Sequence, residues 1–151
     1  MTIPLNLPQK AHIIGLWHLD GNLLDSSPTG NNGTGSNISY ANGKINQCAS
    51  FNGTSSEITT TTQYNNPVTY SMVCAIKSTA TDRSFINFAT PQTGTPSMYN
   101  RTLGISAAGK LDFYWYDHPN QLHLTGNVSI NTGPWAVVGV TVGSGTVRLY
   151  V

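Results

Sequence analysis

The chain has 151 residues, a length that fits a single domain with one core, and its seven basic and six acidic residues leave a net charge of +1. No two Lys or Arg residues adjoin, which argues against nucleic acid and anionic membrane as partners, because both require clustered cations. Only 9% of the residues are charged, against about 25% in ordinary soluble domains. With its abundant Asn, Ser, Thr and Gly, this composition is typical of β proteins that work outside cells or in virus particles.

Residues 1–10 predict an extended N-terminal arm. Two prolines interrupt any periodicity there, and the apolar side chains of Ile3, Leu5 and Leu7 favour an arm that lies on a neighbouring chain or on the domain itself. No basic segment followed by a long apolar one begins the chain, so we expect no signal peptide, and no apolar run approaches the length of a membrane span.

Residues 15–21 predict the strand around which the rest of the chain is organised. Their alternation places Trp17 and Leu19 on one side and Leu16 and His18 on the other. The pair Asp20-Gly21 then predicts a turn, because Asp bonds its own backbone and Gly readily takes a positive φ. The turn-forming residues of 25–35 predict a loop.

Short apolar segments separated by turn signals follow, and none shows a helical period with caps. About ten short strands and no helix predict an all-β sandwich or barrel. The predicted strands span 43–51, 57–62, 69–77, 84–88, 102–106, 110–116, 121–124, 135–142 and 146–151. The side chains expected in the core are Trp17, Leu19, Phe51, Val73, Phe113, Trp115, Trp135, Val138 and Val140.

Several spaced motifs resemble one family. They are Leu-Trp-His-Leu-Asp-Gly at 16–21, Asp-Ser-Ser at 25–27, Gly-Lys-Ile-Asn-Gln-Cys-Ala-Ser-Phe-Asn-Gly at 43–53, and the segments 70–77, 130–142 and 145–151. Over residues 13–151 the chain is similar to the concanavalin A-like, laminin G-like domains. The resemblance implies a two-sheet antiparallel jelly-roll sandwich over residues 11–151. In one departure, Ala136 and Val137 follow Trp135 where the family has two histidines.

The resemblance also implies that this jelly roll is incomplete at its C-terminal end. The family continues with a strand that pairs beside the first one, and an uncovered strand edge is an aggregation template. The edge of the first strand is expected to be covered by a continuation of the polypeptide past Val151, by the arm segment 2–7, or by a strand from a neighbouring chain. The longer chain is favoured, because residues 148–151 end in mid-strand.

The acidic residues argue against catalysis. Glycosidases need paired carboxylates flanking the scissile bond, and this chain has one glutamate, Glu57, and five aspartates with no alternate pair on a predicted strand. No Gly-x-Ser-x-Gly motif occurs, and the four histidines lack metal-binding spacing. We therefore expect no enzyme activity.

A predicted hairpin carries the candidate ligand-binding residues. If 110–116 pairs with 121–124, then Tyr114, Tyr116, His118 and His123 share an outer face. Aromatic rings with polar tips suit the apolar faces and hydroxyls of sugars. The alternatives are ordinary cross-strand pairs and a contact to another protein chain.

A structural calcium ion is implied by the resemblance, with Asp20 and the Gly53 carbonyl at the positions that resemble its ligands. Since Ca²⁺ takes six to eight oxygens, the alternative is that Asp20 caps its turn. Cys48 and Cys74 are interpreted as two apolar strand residues rather than as a disulfide.

Together these features predict a non-catalytic surface-binding or assembly module. The favoured setting is a bacteriophage virion, as a capsid decoration or tail-associated structural protein whose partners are other virion or surface protein chains. The alternative is a carbohydrate-binding module of a bacterial cell-surface or secreted adhesin, with glycans as partners and an extracellular or cell-surface location.

Overall fold

A computed structural model describes residues 12–61, 68–90, 99–117, 120–143 and 145–151, with the backbone alone at 88–90, 99–100 and 117. In these ranges the protein has eleven antiparallel β-strands and no helix, which confirms the predicted all-β class. The predicted arm over 1–10 lies outside the described ranges. No helix in them is long and apolar enough to span a membrane. The chain divides into two compact units, residues 1–63 and residues 64–151.

In its described part, residues 12–61, the first unit contains four short strands. Glycines on the first of them allow close packing, since a Cβ on Gly33 would lie 2.7 Å from the Ile58 side chain and one on Gly35 would lie 2.8 Å from Leu23. The strands are β1 (Gly33–Ser36), β2 (Ser39–Asn42), β3 (Gln47–Ser50) and β4 (Glu57–Thr60), paired as β1 with β4 and β2 with β3.

The predicted strand at 15–21 is wrong. The backbone of Trp17 forms an isolated β-bridge with Asp25 rather than a strand, and Leu19 has φ of 57°, in the left-handed region, which ends any extended run. The backbone N–H of Leu16 donates to the Asp25 carboxylate instead of to a strand. The strand edge expected beside this segment therefore does not form. Conversely, β1 begins inside the stretch that was expected to be a loop.

The described residues of the second unit form two sheets. A three-stranded sheet has the order β11-β10-β5, and a four-stranded sheet has the order β6-β7-β8-β9, with all neighbours antiparallel. The strands are β5 (Tyr70–Lys77), β6 (Arg83–Thr90), β7 (Tyr99–Ile105), β8 (Lys110–Asp117), β9 (Asn120–Ser129), β10 (Trp135–Gly143) and β11 (Thr146–Tyr150).

Apolar side chains from both sheets form the core of the second unit. Because alternate residues of a strand point to opposite faces, each sheet contributes one face to a single buried cluster, and the unit is β-sandwich-like. The cluster consists of Met72 on β5, Leu103 and Ile105 on β7, Leu111 and Phe113 on β8, Val138, Val140 and Val142 on β10, and Ile130.

The predicted core is confirmed in part. Phe113, Val138 and Val140 are fully buried. Phe51 and Val73, however, are 51% and 68% exposed, so their predicted burial is wrong. Met72 and Cys74 take the inward positions of β5, which leaves Val73 between them on the outer face.

The remaining residues expected in the core are neither fully buried nor exposed. They are Trp17, Leu19, Trp115 and Trp135, all of them half-buried. Cys48 and Cys74 are free, half-buried thiols in different units.

Candidate functional site

The four-stranded sheet turns a polar and aromatic face away from the core. Since Leu111 and Phe113 are buried, the alternate residues of β8 point outward. The predicted pairing of 110–116 with 121–124 is confirmed, with Tyr114 opposite His123 and Tyr116 opposite Gln121. We call this surface the tyrosine face and define it by Asp112, Tyr114, Tyr116, Gln121 and His123.

Three of the four predicted ligand-binding residues lie on the tyrosine face, and His118 lies outside the described residues. The rings of Tyr114 and Tyr116 are parallel within 8°, with centroids 6.4 Å apart. The His123 ring meets Tyr114 edge-on, at 6.0 Å and 68°. These contacts hold three rings in fixed relative orientations on one strand pair.

Hydrogen bonds fix the polar groups of the tyrosine face. The Tyr114 hydroxyl donates to Gln121 Oε1 at 3.0 Å. His123 Nε2 lies 2.9 and 2.8 Å from the two carboxylate oxygens of Asp112, and the Thr125 hydroxyl donates to Asp112 Oδ1 at 2.7 Å. The His123 side chain remains 58% exposed and that of Asp112 21% exposed, so both stay accessible to a ligand.

Sequence reasoning did not include Asp112, Gln121 or Thr125 in the site. Alternation already places Asp112 beside Tyr114 and Gln121 beside His123. From Asp112 to Asp117 the pairing with β9 is regular, with Asp112 opposite Thr125 and Tyr114 opposite His123. The bond between Asp112 and His123 therefore joins diagonal neighbours across the two strands, a relationship that the register of the hairpin gives and that alternation along one strand does not.

A buried arginine supports the tyrosine face from the core side. Arg101 is 2% exposed, its guanidinium lies 4.3 Å from the centre of the Trp115 ring, and its Nη1 donates to the Tyr116 carbonyl at 3.0 Å. A cation over an indole ring is stabilised by the ring quadrupole. Burial raises the pKa of Tyr70 to about 12, although the charge of Arg101 and a hydrogen bond with it act in the opposite direction. Arg101 thus fixes the backbone of the strand that presents Tyr116.

The predicted calcium ligands both lie in the first unit. Asp20 Oδ1 accepts from the backbone N–H of Gln47 and Oδ2 accepts from Asn46 Nδ2, each at 2.9 Å. Gly53 has φ of 76° in a turn that follows β3. These bonds join the Asp20 carboxylate to residues 46 and 47 rather than to its own turn, and calcium binding stays a prediction. Across the described ranges, no group of three or more His, Cys, Asp or Glu side chains could hold a metal ion.

Asp25 organises the loop of the first unit. Its carboxylate accepts hydrogen bonds from the backbone N–H groups of Leu16, Ser27 and Asn31 and from the hydroxyls of Ser27 and Thr29. Burial alone would raise the pKa of Asp25, but these bonds hold it well below its usual range. Asp25 is therefore an ionised structural centre that joins segments far apart in the loop.

An open cavity of about 490 Å³ lies in the three-stranded sheet, at the ends of β5, β10 and β11. Hydroxyl side chains and Arg148 line it, and none of the predicted site residues does. The cavity therefore adds no chemistry to the tyrosine face.

Comparison of the chain with protein-family models, with curated proteins and with solved structures found no match in any of the three. A functional assignment must therefore come from the geometry of the described residues.

Proposed function

We propose that the chain is a non-catalytic binding module that binds glycans through the tyrosine face. One observation carries this proposal: Tyr114, Tyr116 and His123 share one outward side of a sheet whose other side is the core. Their rings contact one another, and the polar groups of Tyr114 and His123 are already hydrogen-bonded. A surface ordered in this way loses little side-chain entropy when a ligand binds.

The chemistry of the tyrosine face suits a sugar. The C–H faces of a sugar ring pack on aromatic rings, while its hydroxyls need hydrogen-bond partners around the edge. Asp112 and Gln121 supply carboxylate and amide oxygens beside the two tyrosines, and His123 supplies an imidazole. Both kinds of contact are therefore within reach of one ligand.

The carboxylates support a binding role rather than hydrolysis. Asp112 is the one carboxylate among the described side chains that define the tyrosine face, and its oxygens are bonded to His123 and Thr125. Glycosidases need a second carboxylate, about 5–5.5 Å away in retaining enzymes and farther in inverting ones. The purified protein should accordingly release no reducing sugar from β-glucans or bacterial surface polysaccharides.

A glycan array with the purified chain tests the proposal. Tyr114→Ala and Tyr116→Ala should each lose specific binding, because each removes an aromatic surface. Tyr150→Ala is the matched control, since Tyr150 is an exposed tyrosine on β11, in the other sheet. Binding that survives both substitutions on β8, or no specific binding by wild type, would overturn the proposal.

The finer fold and the setting belong to the same proposal. We place the module in the laminin G-like jelly-roll class and in a bacteriophage virion, as a capsid decoration or tail-associated protein. The alternative is a carbohydrate-binding module of a bacterial adhesin. The spaced motifs and the low charge support this proposal. The outer side of the three-stranded sheet, where Val73, Val137 and Tyr150 are exposed, is an apolar surface suited to another virion chain.

Reciprocal variants separate assembly from glycan binding. Mass spectrometry of purified particles should detect the wild-type chain. Val137→Asp should prevent incorporation of the chain into the bacteriophage particles and leave glycan binding unchanged. Tyr114→Ala should abolish glycan binding and leave incorporation unchanged. Absence of the chain from particles would favour the adhesin alternative.

A further inference from the structure

We infer that the tyrosine face selects neutral glycans over anionic ones, an inference that rests on the proposed glycan-binding function. Recognition of a sulfate or a sugar carboxylate uses Arg or Lys side chains that can donate to it. The residues that define the tyrosine face include neither, and they do include the carboxylate of Asp112.

The nearby cations are placed where they cannot serve a bound anion. Arg101 has the opposite orientation, with its guanidinium buried against Trp115 on the core side. Lys110 begins β8, and Asp112 lies between it and Tyr114 along the strand. A ligand on the tyrosine rings therefore meets the negative charge of Asp112 before it reaches the positive charge of Lys110.

His123 does not make the charge of the tyrosine face positive. Its Nε2 is bonded to both carboxylate oxygens of Asp112, so a positive charge on the imidazole is already matched by the carboxylate. The pair is at most neutral, and Asp112 remains the acceptor that a ligand encounters.

The hydrogen-bonding groups also favour hydroxyls. Each Asp112 oxygen accepts from His123, and Oδ1 also accepts from Thr125, but a carboxylate oxygen pair offers about four acceptor sites. Sugar hydroxyls can donate to the sites that remain. A sulfate or a sugar carboxylate has only acceptors, so it would place like charges together.

The expected size of the preference follows from distance. Residues two apart on a strand are about 7 Å apart, so an anionic group over Tyr114 lies inside the screening length of about 8 Å at physiological salt. When the His123 imidazole is uncharged, repulsion between the anionic group and the Asp112 carboxylate across that distance, at a partly hydrated surface, corresponds to a preference on the order of tenfold.

The experiment uses an array that carries each oligosaccharide in neutral, sulfated and sialylated forms, followed by calorimetry on matched pairs. The neutral member should bind about tenfold more tightly in 0.15 M salt. Asp112→Asn keeps the shape and removes the charge, so it should reduce this preference to about threefold or less. The preference of wild type should also shrink as the salt concentration rises from 0.05 to 0.5 M, a measurement that needs no variant.

The outcomes separate the inference from the function on which it rests. Anionic members that bind more tightly, with binding lost in Tyr114→Ala, would leave glycan binding in place and overturn the neutral preference. A neutral preference that neither Asp112→Asn nor salt alters would overturn the role of Asp112. Failure to bind any glycan would overturn the proposed function itself.

Discussion

Replacing Asp25 with asparagine tests whether one ionised carboxylate holds the loop of the first unit together. Five hydrogen bonds reach this carboxylate: three from the backbone N–H groups of Leu16, Ser27 and Asn31, and two from the hydroxyls of Ser27 and Thr29. An asparagine side chain has nearly the same shape but only one accepting oxygen. It cannot satisfy donors that converge on both oxygens.

The expected cost follows from how the donors are divided. Oδ1 accepts from the Leu16 and Ser27 N–H groups, and Oδ2 accepts from the Asn31 N–H and from both hydroxyls. In its best orientation, the asparagine side chain places its oxygen at the position of Oδ1 and its NH₂ group at the position of Oδ2, where it faces the Asn31 N–H. One stranded N–H costs about 1–3 kcal/mol, and two bonds lose their charge assistance. We expect a loss of about 3 kcal/mol.

Asp20→Asn is the matched control. The Asp20 carboxylate also accepts from a backbone N–H, that of Gln47, but with only one further donor, Asn46, and at an exposed site. Its replacement should cost about 1 kcal/mol. Repeating the measurement with calcium also tests the calcium prediction, since added calcium should stabilise wild type but not Asp20→Asn if Asp20 is a ligand.

The cost of Asp25→Asn should depend on pH. Because hydrogen bonds hold the folded pKa of Asp25 below its usual range, the carboxylate contributes stability above the unfolded pKa of about 3.9, and this contribution is lost as pH falls toward the folded pKa. The difference between wild type and Asp25→Asn should be constant from pH 7 to about pH 5. Between pH 5 and pH 3 it should narrow by about 1.3 kcal/mol.

Urea unfolding at pH 7, 5 and 3 measures these differences. Hydrogen exchange of the Leu16, Ser27 and Asn31 amides gives a local reading, because each amide is bonded directly to the Asp25 carboxylate. The reasoning is refuted if Asp25→Asn costs no more than Asp20→Asn, or if the difference persists unchanged to pH 3.

Three further predictions concern the second unit. Burial raises the pKa of the Cys74 thiol to about 12. In a Cys48→Ser variant, Cys74 should therefore react with a thiol-specific reagent at pH 8 about a thousandfold more slowly in the folded than in the unfolded protein. Similar rates in the two states would contradict the burial of Cys74. The free energy of unfolding should also fall as pH rises from about 8.5 toward 12, because the Cys74 thiol loses its proton at a lower pH in the unfolded chain than in the folded one. Urea unfolding at pH 8 and 10.5 should show a smaller fall for Cys74→Ala than for wild type. Gly139→Ala should cost about 1–3 kcal/mol in urea unfolding, since its Cβ would lie 2.8 Å from the Met72 carbonyl oxygen. Gly126→Ala, whose Cβ would lie no closer than 3.4 Å to any neighbour, should cost less, and equal costs would refute the steric account.

The sequence predicted the strands of the second unit because burial there follows period two. On β8, Leu111 and Phe113 are buried while Tyr114 and Tyr116 remain outside the core, as the alternation requires. Three of the four predicted binding residues could be placed together for the same reason. On β5 the inward side carries Met72 and Cys74, whereas Val73 lies on the other side of the strand, which ends in Lys77. The prediction that Val73 is buried assigned it to the wrong face.

The loop of the first unit could not be predicted in this way. Its backbone groups are bonded to side chains, as at Leu16 and Asp25, and such bonds compete with strand pairing without leaving a periodic signal. The positive φ of Leu19 has no marker in the sequence either, because leucine rarely takes that conformation. Local polar chemistry therefore decided the structure where the apolar pattern suggested a strand.

The tyrosine face depends on the core for its geometry. Leu111, Phe113 and Trp115 alternate along β8 with Asp112, Tyr114 and Tyr116, so a shift of one residue in register would bury the second set and expose the first. Burial of each large apolar side chain is worth about 1.5–3 kcal/mol, which excludes that shift. Arg101 then ties the Tyr116 backbone to the core-facing side of the same strand. The spacing of the rings that we propose to contact a glycan is thus set by apolar packing on the opposite side of the sheet.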